Sequence, residues 1–453
     1  MERKETKKIL PDVNKLHVWE LYSENLITEY TQCIEEGLDI EEYKPIFESI
    51  SKLDKGIIKE RFGDVIFDIV NLAEVREGYV YNEPSTLAEI QKLSKCDSYP
   101  IVKTEDLRNR IEGAWYGRIC GCLLGKVIEG MRLDELIPFL KETQNYPIHR
   151  YISTADINGG AKEKYYFKFF KGVCADEIDC APADDDTNYP VLNQQLIEKY
   201  GRDFTPSDVA CTWLEYQAKD AYCTAERVAF HNFVNGYYPP DSAKYKNSYR
   251  EWIGAQIRAD YFGYINPGNP KLASEMAYRD ASISHTKNGI YGEMFVAAML
   301  ARAAVSDDIV DIIECGISQI PTTSRLYEEI NDMLKDYSNG VKKEDSLQKI
   351  YAKYDDKSGH DWCHTISNAR IVAYALLYGE NDYGKSICLA VEAGFDTDCN
   401  GATVGSIMGI KNGISSIGNE WTDVVNNKLH TNIFGMNVIE IDALVDKTIK
   451  HIG

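Results

Sequence analysis

Two groups of carboxylates, far apart in the chain, carry the residue types best suited to chemistry. Asp396 and Asp398 lie two residues apart and precede a run of small residues that is typical of a helix. The second group, Asp184–Asp186, lies far upstream. Carboxylate oxygens suit hard divalent cations, so an all-oxygen site points to magnesium, manganese or calcium rather than zinc. Five carboxylates make two cations plausible, which could activate water or hold substrate hydroxyls.

Each acidic group alone is a weak signal, because most acidic runs lie on solvated faces. The surroundings of Asp398 are unusual for such a face, since Phe395 and Cys399 flank the pair and small apolar residues follow. Glu129 is a further candidate, because it ends a predicted helix, where the helix dipole disfavours negative charge. A nearby cation or substrate explains that position better than an exposed surface does.

A stripe of glycines predicts the element that positions Glu129. The helix before it is predicted to run from Thr104 or Glu105 to about Gly125. Its glycines recur at every fourth position: Gly113, Gly117, Gly121 and Gly125. Positions four apart share a helix face, and a glycine in a helix interior costs about 1 kcal/mol relative to alanine. The stripe therefore predicts close approach of another backbone.

The helix after Asp398 supplies a matching surface. It carries its own stripe of glycines at every fourth position: Gly401, Gly405 and Gly409. We expect the two stripes to pack against each other with the helices antiparallel. The first helix then ends at the site with Glu129, and the second begins there with Asp396 and Asp398. The distance between Glu129 and Asp396 tests this arrangement.

The composition excludes several classes of partner. The chain has 453 residues and a formal net charge of -21, which argues against a nucleic-acid backbone as partner. A phosphate-bearing small molecule is compatible with this charge, because a bound cation inverts the local field. No apolar run is long enough to span a bilayer, and Met1–Glu5 leads into no signal-peptide core. The 12 cysteines form no repeated CxxC pairs, so we expect a cytoplasmic protein with buried thiols.

The pattern divides the chain into two regions. The pattern of residues 1–100 predicts a helical appendage. Within it, His17–Cys33 carries apolar residues at helical spacing. The helical pattern breaks around Lys95–Val102, so we expect a boundary there and a main domain over residues 101–453. We interpret the appendage as a packing or oligomerisation module. A lid that selects substrate is the alternative.

Together these motifs resemble the ADP-ribosylglycohydrolase family, which includes the dinitrogenase-reductase-activating glycohydrolases. The resemblance covers roughly residues 105–420. Gly121–Glu129 is similar to the family's glycine-rich helix that ends in a glutamate. Asp184–Thr187 resembles its Thr-Asp-Asp-Thr motif, and Ala393–Cys399 resembles its Gly-Gly-Asp-Thr-Asp-Thr motif.

The resemblance implies an all-α protein, a compact orthogonal multi-helix domain of that family's type with an N-terminal helical appendage. It also implies two divalent cations, most often Mg²⁺ with Mn²⁺ as the alternative. The implied reaction cleaves the bond at the anomeric ribose carbon of an ADP-ribosylated protein or small molecule, through an oxocarbenium-like transition state. The implied metal ligands are five aspartates: Asp184, Asp185, Asp186, Asp396 and Asp398.

Four further residues are expected to bind substrate. Gly254 and Arg258 lie in a segment that resembles the family's loop for ribose and phosphates, and the Arg258 guanidinium could meet the phosphates. His285 lies in a stretch similar to the family's Ser/Thr-His segment, and Asn400 closely follows the last motif. For His285 and Asn400 a purely structural role is the alternative.

The expected catalytic residues are Glu129 and Asp396, of which Glu129 would position water as a general base or bind substrate or metal. Three positions depart from the family pattern. Asp184 replaces a threonine ligand and adds charge, and Cys399 replaces a hydroxyl ligand with a poorer ligand for magnesium. Cys122 stands where an aspartate is common. The core carboxylates are kept, but the number of metals and the substrate are open.

Three functions agree with the sequence. The first is hydrolysis of an ADP-ribosylated protein or small molecule. The second is an N- or O-glycosidase reaction on another nucleoside-like substrate, an alternative that Asp184, Cys399 and the appendage keep open. The third is a non-catalytic relative, similar to the lens crystallins that resemble this family, and the retained aspartates argue against it. No nucleic-acid or membrane partner is expected.

Overall fold

The computed structural model describes residues 10–96, 99, 106–169 and 171–452, and helices account for most of them. The structure is 63% helical. Its described residues form 22 α-helices, ten short 3₁₀ helices and one two-stranded sheet. The all-α class predicted from the sequence is confirmed. None of the helices in these ranges combines the length and the apolar content that a bilayer span requires.

The first half of the described chain contains eleven α-helices. In order they are α1 Leu26–Glu35, α2 Lys44–Ser51, α3 Ile57–Leu72, α4 Leu87–Leu93, α5 Leu107–Lys126, α6 Leu133–Glu142, α7 Thr154–Asn158, α8 Asp185–Tyr200, α9 Pro206–Tyr216, α10 Thr224–Val234 and α11 Asp260–Tyr264. The 3₁₀ helices of this half are Val13–Lys15, Val18–Glu20, Tyr22–Asn25, Glu41–Tyr43, Ala161–Glu163, Lys219–Ala221, Asp241–Ala243 and Gln256–Arg258.

The second half continues with eleven more. They are α12 Pro270–Ala281, α13 Lys287–Ala303, α14 Ile309–Ser318, α15 Arg325–Ser338, α16 Lys343–Lys353, α17 Gly359–Cys363, α18 Thr365–Tyr378, α19 Tyr383–Glu392, α20 Thr397–Asn412, α21 Asn419–Thr422 and α22 Ile441–His451. The 3₁₀ helices here are Ile414–Ser416 and Asp423–Val425. The antiparallel sheet pairs two short strands, β1 Lys428–His430 and β2 Val438–Glu440.

The helices α5 and α20 pack directly against each other through their glycines. A Cβ atom at Gly117 would lie 2.2 Å from the carbonyl oxygen of Gly405, and the reverse distance is 2.1 Å. The other contacts follow the antiparallel order: Gly113 with Gly409 and Gly121 with Gly401. The packing predicted from the two glycine stripes is confirmed. Each backbone occupies the space that a side chain on the other helix would need.

Two hydrophobic clusters organise the described chain. The large cluster surrounds α5, α13, α18 and α20. The small cluster lies in the N-terminal region and contains seven buried residues: Tyr22, Leu26, Cys33, Ile40, Phe47, Ile50 and Ile66. The boundary predicted between residues 100 and 101 lies outside the described residues, as does the predicted helix start at Thr104 or Glu105. The division into an appendage and a main domain therefore stays a prediction.

Buried ion pairs attach α1 to the main helical body. Arg250, which is 8% exposed, donates to Glu29 at 2.9 Å and to Glu36 at 2.7 Å. Lys287 donates to Glu36 at 2.9 Å. Removing one partner of a buried pair leaves an uncompensated charge, which is strongly destabilising. The N-terminal region is therefore held in one arrangement against the main body.

Glu35 joins α1 to two histidines of the main body. Its Oε2 lies 3.2 Å from Nε2 of His360 and 3.5 Å from Nε2 of His364. The Nδ1 atoms of the two rings already accept, from Trp252 Nε1 at 3.3 Å and from the Ile366 amide at 3.2 Å. A neutral imidazole that accepts at Nδ1 carries its proton on Nε2. The cluster is therefore a polar contact and not a metal site, because a metal would need the Nε2 lone pairs.

Acidification is expected to weaken this contact. Burial alone would raise the pKa of Glu35, but the hydrogen bond from His360, the two nearby histidine rings and the charge of Arg325 lower it from 4.5 to about 2. Because the folded-state pKa lies below the unfolded value, the stabilisation is complete above about pH 4.5 and is lost as the pH falls toward 2. Urea unfolding of wild type and Glu35→Gln should show a difference in free energy of unfolding that shrinks over this range. A difference that is constant with pH would contradict the expectation.

The structure corrects the helix predicted at His17–Cys33. Only α1 is α-helical in this stretch, and two 3₁₀ helices precede it. The His17 side chain accepts the Trp19 amide, and the Glu20 side chain accepts the His17 amide, so a separate turn begins here. Arg227 lies 5.4 Å from the centroid of the Trp19 ring. This turn places Trp19 against the main helical body.

Candidate metal centre

The C-terminal end of α5 meets the N-terminal end of α20. Glu129 follows α5 by three residues, Asp396 is the N-cap of α20, and Asp398 lies in its first turn. A carboxylate oxygen of each of these three residues lies within 4.8 Å of the others. The antiparallel glycine contact thus brings Glu129 to Asp396, as the sequence predicts.

The upstream aspartates join the same centre from the start of α8. Asp184 is the N-cap of α8, and its side chain accepts the Asp186 amide at 2.9 Å. Asp186, Asp398 and Cys399 form a second group whose ligand atoms lie within 4.8 Å of one another. Asp398 belongs to both groups, so the two acidic motifs form one continuous cluster.

Burial sets the charge state of the cluster. It raises the pKa of Asp185 to about 7, with further contributions from the charges of Asp184 and Asp398. Burial likewise raises the pKa of Glu129 and the pKa of Asp396, and neighbouring carboxylates add to the effect. Because these carboxylates lie close together, repulsion between their negative charges opposes the ionisation of all of them at once. A cation would reverse that preference, since it stabilises ionised carboxylates.

Two lysines supply positive charge at the cluster, and the sequence analysis missed both. Lys126 pairs with Asp184, and Lys168 pairs with Glu129. Lys126 is 6% exposed and lies 4.4 Å from the centroid of the Phe169 ring. Asp184 is therefore balanced by a cation of the protein itself, and its role as a metal ligand stays a prediction. The only signal for Lys126 was its place directly after the last glycine of the stripe.

Arg118 anchors Asp186 from inside the protein. Its Nη2 donates to Oδ1 of Asp186 at 3.0 Å, and its Nη1 lies 2.9 Å from Asp260. Oδ2 of Asp186 and Oδ1 of Asp398 are buried and have no hydrogen-bond partner among the described residues. A buried polar atom without a partner costs free energy. A divalent cation between Asp186 and Asp398 would satisfy both oxygens, so the donor set fits such an ion.

Part of the cluster lines a cavity of about 550 Å³. Four of its carboxylates contribute to the lining: Glu129, Asp185, Asp396 and Asp398. Three aromatic side chains contribute to the walls: Trp19, Tyr166 and Trp362. Trp19 also lines an adjacent cavity of about 950 Å³. The interpretation of residues 1–100 as a packing module is therefore incomplete, because a side chain of this region lines the cavity.

Arg258 is not among the described residues that line the cavity, which speaks against its predicted contact with phosphates. Its guanidinium is fully buried and lies within 3.5 Å of three carboxylates: Glu226, Asp280 and Glu293. It also donates to the carbonyl oxygen of Gly254 at 3.2 Å. The Arg258 guanidinium is therefore engaged by acceptors inside the core. Gly254 itself lines the cavity, so its binding of substrate stays a prediction.

His285 and Asn400 are likewise absent from the described cavity lining. Burial and the positive charge of Arg258 lower the pKa of His285 well below 6.5, so its ring is neutral. Asn400 donates from Nδ2 to Oδ1 of Asn368 at 2.8 Å, and the same oxygen accepts the Asp396 amide at 3.2 Å. Asn400 thus helps to position the start of α20. Substrate binding by either residue stays a prediction.

Arg132 is a cavity residue that the sequence analysis did not single out. Its guanidinium carbon lies 4.8 Å from the centroid of the Trp362 ring, and its Nη1 has no hydrogen-bond partner within the described ranges. A stacked guanidinium with a free N–H is suited to binding an anion. No motif surrounds Arg132 in the sequence, so only its place in the fold reveals it.

A family model described as ADP-ribosylglycohydrolase matches residues 103–451, which is most of the chain and includes every carboxylate of the centre. No curated protein matches the chain. One solved structure, described as an ADP-ribosylglycohydrolase-related protein complex, is similar to it at 17% sequence identity with a TM-score of 0.44. That similarity covers 77% of this chain and 100% of the other.

Proposed function

The chain belongs to the ADP-ribosylglycohydrolase family, and from that membership we propose a metal-dependent enzyme that acts on ADP-ribosylated substrates. The family hydrolyses glycosidic bonds, and the chain is a hydrolase of that class. The proposed reaction cleaves the bond at the anomeric ribose carbon of an ADP-ribosylated protein or small molecule. The observation that carries the proposal is the convergence of Glu129, Asp396 and Asp398 in the lining of one cavity.

The proposed metal ligands are the aspartates at the starts of α8 and α20: Asp184, Asp185, Asp186, Asp396 and Asp398. Each lies at the N-cap or in the first turn of its helix, where the helix dipole stabilises a carboxylate. Bound Mg²⁺ or Mn²⁺ would stabilise negative charge and orient the ribose hydroxyls. Two helix N-termini fix these carboxylates in direction, so the centre is organised before substrate binds.

Glu129 is the proposed general base. Its carboxylate lines the cavity and pairs with Lys168, whose charge opposes the burial that raises the pKa of Glu129. A water held by Glu129 would give its proton to the carboxylate as its oxygen bonds to the anomeric carbon. The glycosidic bond breaks through an oxocarbenium-like transition state, and the leaving group departs with the bonding electron pair.

The cavity suits a nucleoside-type substrate. Its volume of about 550 Å³ is in the range of small-molecule sites. Trp19 and Trp362 offer ring faces against which a planar base can pack. Arg132 and Lys168 supply positive charge for phosphates, a role that the sequence had assigned to Arg258.

The second candidate is an N- or O-glycosidase that acts on a small nucleoside-like substrate. Trp19 favours it, because a side chain of the N-terminal region lines the cavity beside the carboxylates, where an acceptor protein would have to approach. A non-catalytic role is the weakest candidate. The unpartnered oxygens of Asp186 and Asp398 are costly in a protein that binds no cation.

Release of ADP-ribose tests the proposal. Protein loaded with Mg²⁺ is incubated with peptides ADP-ribosylated on arginine or serine and with ADP-ribosylated small molecules, and free ADP-ribose is measured by chromatography. We expect release from at least one substrate, loss of release with EDTA, and recovery with added Mg²⁺ or Mn²⁺. Release that survives complete chelation, or none from any substrate, would overturn the proposal. Cleavage of unmodified nucleosides alone would favour the second candidate.

Trp19→Ala is expected to raise KM about tenfold, equivalent to about 1.4 kcal/mol, with kcat within about twofold of wild type. The ring lines the cavity but lies outside the carboxylate cluster, so its loss should affect ground-state and transition-state binding alike. The matched control is Tyr238→Ala, since Tyr238 is 56% exposed and does not line the cavity. A fall in kcat at unchanged KM would contradict this role.

A further inference from the structure

We propose that one corner of the metal centre binds a thiophilic cation such as Zn²⁺ through the sulfur of Cys399. The corner consists of Asp186, Asp398 and Cys399. The inference rests on the proposed metal dependence and adds the identity of one ion. The two cation positions then differ in kind: one offers oxygen alone, and the other offers oxygen and sulfur.

The spacing of the three side chains suits one ion. Sγ of Cys399 and one carboxylate oxygen each of Asp186 and Asp398 lie within 4.8 Å of one another. Zinc binds thiolate at about 2.3 Å and carboxylate oxygen at about 2.0–2.2 Å, so two ligands of one ion are at most about 4.5 Å apart. The side chains therefore need only small movements to share an ion.

The oxygens of this corner are buried and free to bind. Asp186 is fully buried and Asp398 is 2% exposed, and each has one oxygen without a hydrogen-bond partner in the described chain. The other oxygen of Asp186 accepts from Arg118, which fixes the direction of the carboxylate. Support of a ligand by such a neighbour is a common feature of metal sites.

The sulfur of Cys399 determines which cation this corner prefers. Mg²⁺ requires oxygen ligands in near-octahedral geometry, whereas thiolate ligands select Zn²⁺ and other thiophilic ions. Cys399 is 5% exposed and shares its corner with two carboxylates. The opposite corner, Glu129 with Asp396 and Asp398, has oxygen donors alone and suits Mg²⁺ or Mn²⁺. Asp398 belongs to both corners and can bridge them.

A second thiol near Asp186 is less suited to the same role. Sγ of Cys122 lies within 4.8 Å of carboxylate oxygens of Asp184 and Asp186. Lys126 pairs with Asp184, so its ammonium competes with a cation for that carboxylate. No lysine or arginine ion pair with Asp398 is present among the described residues. The structure therefore favours Cys399 as the sulfur ligand.

Cation binding at this corner requires the loss of one proton from Cys399. The S–H bond of Cys399 breaks, its proton passes to solvent, and the sulfur electron pair forms the bond to the cation. No oxidant or reductant is needed. The loaded corner then carries two carboxylates, one thiolate and one divalent ion.

Cobalt substitution tests the proposal without substrate. Metal-free protein is titrated with Co²⁺, and we expect a near-ultraviolet band from sulfur-to-cobalt charge transfer. Cys399→Ser should lose this band, whereas the matched variant Cys363→Ser should keep it, since Cys363 donates to Asp396 and not to the proposed corner. With Zn²⁺ and Mg²⁺ supplied together, wild type should retain about one zinc per chain and Cys399→Ser about none.

The opposite results would overturn the proposal. These are no charge-transfer band in wild type, a band that persists in Cys399→Ser, or Mg²⁺ at both positions when zinc is present. If Cys399→Ser fails to fold, X-ray absorption of zinc-loaded wild type decides, since the proposal requires a sulfur neighbour to zinc. A protein that shows the sulfur band but releases no ADP-ribose would refute the proposed function alone.

Discussion

Asp396→Asn is expected to lower the hydrolytic rate about 100- to 1,000-fold, equivalent to about 3–4 kcal/mol of transition-state stabilisation. Asparagine offers a neutral carbonyl oxygen in place of a carboxylate, so the affinity for a hard cation falls. The ribose is then less firmly oriented for attack. The fold should persist, because the Asp396 side chain makes no capping hydrogen bond that the substitution could remove.

Three measurements check this expectation: rates of ADP-ribose release, calorimetric titration with Mg²⁺, and thermal unfolding in EDTA. Burial raises the pKa of Asp396, so its ionised form opposes folding when no cation is bound. The metal-free variant should therefore unfold at or above the wild-type temperature. Full activity and unchanged Mg²⁺ affinity of Asp396→Asn would show that Asp396 is not a metal ligand.

Asp382→Asn is the control for loss of a carboxylate at a helix start. Asp382 is the exposed N-cap of α19, and its side chain accepts the Lys385 amide at 2.8 Å. The same exchange of carboxylate for amide thus occurs at a helix start away from the cavity. We expect its rate and its Mg²⁺ affinity within about twofold of wild type, since surface substitutions of this kind have small effects.

Gly117→Ala is expected to destabilise the fold by about 3 kcal/mol or more. The new Cβ would lie 2.2 Å from the carbonyl oxygen of Gly405. The Cβ position is fixed by the backbone of α5 and the oxygen belongs to the backbone of α20, so neither atom can rotate away. The helices must separate, and Glu129 then moves relative to Asp396. Activity should fall even in the fraction that remains folded.

Urea unfolding followed by circular dichroism measures the loss. Gly359→Ala is the matched control, because a Cβ at Gly359 would meet no heavy atom within 4 Å. Gly359 begins α17, and its substitution should change the free energy of unfolding by less than about 0.5 kcal/mol. Equal stability of the two variants would show that α5 and α20 tolerate a wider spacing.

The sequence predicts the scaffold of the centre because its signal is local and periodic. Glycines at every fourth position share a helix face, and nothing but close backbone contact explains four of them together. That contact orders the two helices and places Glu129 beside Asp396. The aspartates could be predicted for the same reason, since two short motifs bring all five of them to helix starts, whereas Glu129 follows the end of α5.

The partners of charged side chains could not be predicted in this way. Arg258 resembles a phosphate ligand in the sequence, but Glu226 on α10, Asp280 on α12 and Glu293 on α13 surround it in the fold. Lys126 lies in a recognisable motif, yet its pairing with an aspartate depends on the position of α8. Such pairings depend on the tertiary fold, which sequence spacing does not record.

The N-terminal wall of the cavity was also hidden in the sequence. Trp19 lies in a stretch whose apolar spacing predicts a continuous helix, whereas local hydrogen bonds to His17 form a separate turn. Periodicity reports which residues are buried and not which neighbour they face. The contribution of this region to the cavity therefore required the structure.

The pairing of α5 with α20 makes the centre one of the last parts to assemble during synthesis. About 270 residues separate the two helices, and a ribosome adds about 5–20 residues each second. Glu129 and Asp184–Asp186 thus emerge tens of seconds before Asp396 and Asp398. During that interval the glycine face of α5 lacks its α20 partner, and the nascent chain presents three of the five proposed metal ligands. We therefore expect metal capture to follow the pairing of these helices rather than to nucleate the fold.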